Sequence, residues 1–192
     1  MMKKATIEKY LLKLSSKESM PGGGSVAALN GACGMALVLM VCNLSIGKEK
    51  YKKHEKLIRE SIKKAIKMRE RYLFLLEEDI RLFKNIEKVF KMKKETKKQK
   101  EQKKKAMEKA CKICCRVPKE MIDLSEKGLK LVKKLMGKTN KSASSDLVVA
   151  KECWYLPQLV WLQSTQKARQ STRFSNYHSL HSFQNMAKKT GK

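Results

Sequence analysis

A proline, three glycines and a serine, Pro21-Gly22-Gly23-Gly24-Ser25, open a run that carries no charged residue as far as Ile46. Proline sets a turn there, glycine frees the backbone, and Ser25 is placed to cap a helix. The unpaired amides of a helix start, with the positive end of its dipole behind them, attract anions. The segment is therefore a candidate cradle for a carboxylate or a phosphate. It is not a nucleotide P-loop, because the Gly-Lys-Ser/Thr ending is missing.

Asp79 is the second candidate. It falls three residues after Leu76 and four before Phe83, so it sits on or beside an apolar helical stripe. A carboxylate there is costly unless it has a partner or a task. It is either a boundary residue paired with Arg81 or a lysine, or an acid/base group whose pKa burial raises towards working pH. The loop from Lys138 to Asp146 is rich in hydroxyls. Ser144, Ser145 or Asp146 either caps the helix that opens at Leu147 or faces a ligand.

Cys111-x-x-Cys114-Cys115 looks like half of a zinc site, but no second Cys/His pair follows at finger-like spacing. Cys111 and Cys115 lie one helical turn apart, which fits small apolar packing residues, and no metal is expected. No cysteine nucleophile with a positioned histidine is visible. His54 follows a lysine-rich helix start, and His178 and His181 lie in the C-terminal stretch.

These groups need elements to hold them. Thr6 caps a predicted helix over about residues 7–16, with Ile7, Tyr10, Leu11 and Leu14 on one face. The next helix, about 25–46, is apolar nearly all round and long enough to span a bilayer. Asn30, Asn43, Ser45 and many small residues favour a buried helix of a bundle instead, because no other segment is membrane-like. A very long helix is predicted from Lys48 to about Met92, its stripe running Ile58, Ile62, Ala65, Ile66, Leu73, Leu76, Ile80, Phe83, Ile86 and Phe90. Lysine-rich residues 91–105 form a solvated hinge, and a further helix runs from about Gln99 to Arg116. Pro118 restarts the pattern, and Gly137 closes it. The expected fold is an all-α bundle of long helices, with a central apolar helix after the glycine-rich loop.

The 192 residues carry a net charge of +27, which attracts nucleic acid, anionic membrane or an anionic small molecule, or belongs to a lysine-rich solvated surface. The lysine tract has no interleaved aromatics, so nucleic acid is disfavoured as a partner. No signal-peptide pattern precedes the first helix, so a reducing cytoplasm and free thiols are expected. Composition shifts after Ala150. Residues 151–192 hold both tryptophans, two of three histidines and one acid, Glu152. That places a helical domain over residues 1–150 and an atypical segment over 151–192, either divergent or the product of a reading-frame change.

The segments Pro21–Leu29, Gly31-Ala32, Met40-Val41-x-Asn43-Leu44 and Gly47-Lys48-x-Lys50-Tyr51 occur in that order. Glu78-Asp79-x-x-x-Phe83, Val117-Pro118 and Asn140-x-x-x-x-Ser145-Asp146-Leu147 follow. Together the set resembles the cyclodeaminase/cyclohydrolase family of folate one-carbon enzymes, over about residues 4–150. The resemblance implies an all-helical homodimer that binds a tetrahydrofolate derivative near the glycine loop and the subunit interface. It places ligand-contacting elements on Gly22, Gly23, Gly24, Ser25, Asn43, Asp79, Asn140 and Asp146.

The reaction so implied is hydrolysis of 5,10-methenyltetrahydrofolate to 10-formyltetrahydrofolate, or cyclisation of formiminotetrahydrofolate with loss of ammonia. Both pass through a tetrahedral centre and need a proton acceptor, a donor and positioning. Neither needs a cofactor beyond the folate itself. The free-standing chain favours the hydrolase. Asp79 is the first choice for the acid/base group and Asp146 the second. Asn43 and Asn140 are placed to bind the pterin or the one-carbon unit, and the Gly22–Ser25 amides to bind the glutamate carboxylates. Surplus lysines favour polyglutamylated folate. The competing readings are a folate-binding relative that has lost catalysis through its altered C-terminus, and a basic helical nucleic-acid binder.

Overall fold

The computed structural model describes residues 1–157 and 159–160. Among them no strand occurs, and the α-helices are α1 (Ile7–Leu14), α2 (Gly23–Asn43), α3 (Glu55–Phe90), α4 (Lys97–Cys114), α5 (Arg116–Leu135) and α6 (Ser144–Glu152), with residues 155–157 and 159–160 also helical. Short 3-10 turns precede α1, α3 and α6. Of the atypical segment 151–192, residue 158 and residues 161–192, with His178 and His181, lie outside the described residues.

The capping pattern corrects two sequence expectations. Thr6 does cap α1, its Oγ accepting from the Lys9 amide at 3.2 Å. Ser25 does not cap α2. Gly22 holds the N-cap position, and Ser25, three residues on, closes a capping box with it. Nor does Ser144, Ser145 or Asp146 cap α6; the N-cap is Ala143, without a side-chain bond. Asn140 instead caps the preceding 3-10 turn, its Oδ1 accepting from the Ser142 amide at 3.1 Å. The long helix also starts late, because Glu49–His54 forms a 3-10 turn before Glu55. Pro118 falls in the first turn of α5, where a missing amide costs nothing. Gly137, just past α5, takes a φ of +74° that a side chain disfavours.

Helix α2 packs against α3, α5 and α6, and α3 against α4 and α5. It alone, among the described residues, is long and apolar enough to cross a bilayer. Of its most apolar stretch 61% is buried inside the protein. Aromatic rings fill spaces left by missing side chains. A Cβ on Gly31 would lie 2.6 Å from the Tyr72 Cζ, and one on Gly34 would lie 2.8 Å from the Trp154 Nε1. The Tyr72 hydroxyl shares a hydrogen bond with Ser125 Oγ at 3.0 Å and donates to the Met121 carbonyl at 3.1 Å. The Trp154 indole donates to the Gly31 carbonyl at 3.2 Å, so α6 runs antiparallel to α2 and its end is pinned there.

The α3 stripe is wider than the sequence pattern marks. Tyr72, Leu75, Leu82 and Val89 are buried, whereas Ile66 and Phe90 are exposed. A helix of 36 residues meets α2 along one side and α4 along another, so no single line of residues describes its contacts. The expected α1 face fails more completely. Tyr10 is its sole buried residue, Leu14 is half-buried, and Ile7 and Leu11 are exposed. Cys111 and Cys114 pack partly buried against Ile86, Val89 and Ala110.

Candidate functional site

The turn Gly22–Ser25 and Asp79 come together at the N-terminal end of α2. A Cβ on Gly24 would overlap the Asp79 carboxylate, lying 2.6 Å from both its Cγ and its Oδ2 and closer still to Oδ1. Only glycine lets the carboxylate approach so near. The Ser25 amide faces Asp79 and draws its pKa down, but burial outweighs it and holds the carboxyl at about 6 against an ordinary 3.8. A group that is ionised in part near neutrality can accept a proton and return it.

The anion cradle anticipated at this helix start thus already faces a carboxylate of the protein's own. Ser25 is also less free than its position in the glycine run implies. Its Oγ donates to the Gly22 carbonyl at 2.8 Å and accepts from the Gly22 amide at 3.1 Å and from the Tyr10 hydroxyl at 3.3 Å. One donor and two acceptor sites are the whole capacity of a hydroxyl. Its side chain is scaffold. Gly23 is the open point of the turn, since a Cβ added there would meet nothing within 4 Å.

Two residues at this site escaped the sequence. Tyr10 reaches it from α1, where it read as one apolar residue among four. Burial raises its pKa, the bond to Ser25 lowers it, and the Asp79 charge raises it again. Cys114 reaches it from α4, its thiol donating to the Leu82 carbonyl at 3.5 Å. Burial first, then Cys111, Asp79 and Cys115, push it up to about 12, so it stays an uncharged neighbour. No spacing rule links residues on four elements; the one signal was the polar hydroxyl in the face of α1.

Asn43, Asn140 and Asp146 lie elsewhere. Asn43 is exposed at the last position of α2, and 21 residues at 1.5 Å each set it about 30 Å from Gly23. Asn140 is at that same end, its amide donating to Ser45 Oγ at 2.8 Å. Its Oδ1 is taken up by the cap already described. Asp146, half-buried in the first turn of α6, is also towards the C-terminal end of α2, since the far end of α6 is what meets Gly31 and Gly34. Within one chain the expected residues therefore form two groups, and a single pterin-sized cavity does not hold both. Among the described residues no group of three His, Cys, Asp or Glu side chains is arranged to hold a metal ion.

Comparison with known proteins bears on the family and the fold. Over 128 residues the chain is 36% identical to a methenyltetrahydrofolate cyclohydrolase of Methylorubrum extorquens, a match covering 63% of this chain and 62% of that protein. It is 26% identical over 109 residues to the formimidoyltransferase-cyclodeaminase of Gallus gallus, covering 57% of this chain and 20% of the relative. The chain thus spans less than two thirds of the length of the curated relatives it matches. The crystal structure of a formiminotetrahydrofolate cyclodeaminase from Thermotoga maritima superposes with a TM-score of 0.75 at 20% identity, over 87% of this chain and 81% of that one, which shows a shared helical fold. Residues 6–156 match the formiminotransferase-cyclodeaminase family. Most of the chain is covered by that match, and it belongs to the formiminotransferase-cyclodeaminase family.

Proposed function

We propose that the chain hydrolyses 5,10-methenyltetrahydrofolate to 10-formyltetrahydrofolate. The carrying observation is a half-buried carboxylate poised near pH 6 beside an open glycine turn. The relative named as a cyclohydrolase supports the choice of substrate. Asp79 takes a proton from the attacking water, whose oxygen adds to the amidinium carbon between N5 and N10. The tetrahedral centre then collapses, the bond from that carbon to N5 breaks, and N5 keeps the second water proton. The proton on Asp79 leaves to solvent, so one water is consumed and one proton released. The free amides of the Gly23–Gly24 turn are oriented for a carboxylate or for charge developing in the reaction.

The second group joins the site across a subunit contact. Cys33, Ala36, Met40 and Leu44 lie at helical spacing on the exposed side of α2. Met40 and Leu44 are 39% and 41% exposed, an uncovered apolar line of the kind a second copy buries. Two α2 helices paired antiparallel along it bring Asn43 of the partner subunit towards the Gly22–Ser25 turn. The lysine-rich surface supports polyglutamylated folate as the form bound. We place the end of the helical domain just past Trp154, whose burial fixes it to the core, with the atypical segment beyond.

The direct test follows the loss of near-ultraviolet absorbance of methenyltetrahydrofolate. A rate no faster than the uncatalysed one removes the hydrolase reading, and ammonia release from formiminotetrahydrofolate moves it to the deaminase. The intersubunit site is tested by mixing inactive Asp79→Asn and Asn43→Ala chains. Hybrid dimers regain about a quarter to a half of wild-type turnover if the site is shared, and none if it is contained in one chain.

A further inference from the structure

Tyr10 carries chemistry that the proposed reaction does not use. It is the sole buried residue of α1, and its hydroxyl donates to Ser25 Oγ at 3.3 Å in a buried setting. Ser25 Oγ in turn both donates to and accepts from Gly22, so the phenol completes the hydrogen-bond set of the turn. The Ser25 amide of that same turn faces the Asp79 carboxylate. Apart from half-buried Leu14, which packs against the core, the apolar residues of α1 do little to hold it, since Ile7, Leu11 and Leu12 are exposed. The Tyr10 side chain therefore ties this helix to the glycine turn, whose own Ser25 amide meets the carboxylate.

We propose that Tyr10 is a positioning residue of the Asp79 site, its phenol fixing the first turn of α2 so that the Ser25 amide stays aimed at the carboxylate. Its work is done through Ser25 and not on the reacting atoms. The groups around Asp79 are few. Tyr10 faces it from α1, the Ser25 amide and Gly24 from α2, and the neutral Cys114 thiol from α4. On α3 itself Glu78 and Arg81 are paired to each other, Arg81 Nε donating at 2.8 Å. Among the described residues the amide is thus the one group that favours the ionised carboxylate, and the phenol secures that amide. A loosened turn leaves the carboxyl protonated to higher pH.

The kinetic arm rests on the folate-hydrolase reading, and a spectroscopic arm does not. In the full chain, the Asp79 carboxyl is followed by carbon-13 NMR as pH is raised, with Asp79→Asn identifying its resonance. Tyr10→Phe keeps the ring and removes the hydroxyl. The expected result is an Asp79 midpoint raised by roughly 0.3–1 pH unit, the scale of a lost neutral hydrogen bond. The acid limb of kcat for methenyltetrahydrofolate moves by the same amount, kcat falls about 2–10-fold below that limb, and KM stays within about twofold. A purely structural role lowers the melting temperature without moving either midpoint. An Asp79 titration identical to wild type overturns the proposal whatever the turnover. Absence of turnover in the wild type sinks the hydrolase reading alone and leaves the NMR comparison to judge Tyr10. If Tyr10→Phe fails to fold, Ser25→Ala, which removes the acceptor and keeps the phenol, must raise the Asp79 midpoint in the same direction; if it does not, the proposal falls.

Discussion

Asp79→Asn should make the protein more stable and less active at once. Asparagine keeps an oxygen for the Ser25 amide and nearly the same volume, and it removes the charge. The folded-state carboxyl titrates at about 6 against 3.8 when unfolded, because burial disfavours its ionised form. The native state then binds the proton more tightly than the unfolded chain. Stability falls as pH rises from 3.8 to 6, and above that window the whole penalty is present. Roughly two units at 1.36 kcal/mol each give about 3 kcal/mol as an upper figure. Partial solvent contact reduces the expected gain to about 1–3 kcal/mol. For a chain of this size that is a rise in Tm of roughly 3–10 °C. The assay is thermal or urea unfolding of both proteins at about pH 8 and about pH 3, bracketing the window. The gain should be large at the higher pH and vanish at the lower, while methenyltetrahydrofolate turnover drops at least ~100-fold. A variant less stable than wild type at the higher pH, or an equal gain at both, would refute the argument that burial strains this carboxylate. Unchanged turnover would show the group to be structural.

Two further substitutions probe the neighbouring packing. Gly24→Ala puts a methyl where the carboxylate sits, so the short side chain of Asp79 must swing away; steady-state kinetics should show kcat/KM reduced at least ~10-fold at a stability cost of about 1–3 kcal/mol. Trp154→Ala empties a fully buried socket and deletes the indole bond to Gly31; urea titration should show a loss of about 3–5 kcal/mol, and a loss under about 1 kcal/mol would mean the residues beyond Ala150 do not belong to the core.

The sequence located helices well and ends poorly. Thr6, the lysine-rich interruption and Gly137 are punctuation that acts locally, and each appears where its chemistry requires. The Asp79 position was legible because a carboxylate beside an apolar stripe stands out, and the structure leaves it half-buried. Ser25 misled because a serine after three glycines looks like a cap, whereas the helix had already begun two residues earlier. The separation of Asn43, Asn140 and Asp146 from the glycine turn was invisible. Motif order along a chain does not say which end of a helix a later loop returns to. Tyr10 was hidden by periodicity, since three equally apolar neighbours share its face and only contact with α2 selects it.

The indole socket ties folding to the direction of synthesis. Its walls come from Gly34 early in the chain and from Gly128 much later, and the ring that plugs it follows both. A nascent chain on the ribosome must carry that opening unfilled until the plug has emerged, with apolar surface on two helices still wet. Contacts so distant along the polypeptide slow closure, and the partly assembled bundle is the form most exposed to clumping or to chaperone capture.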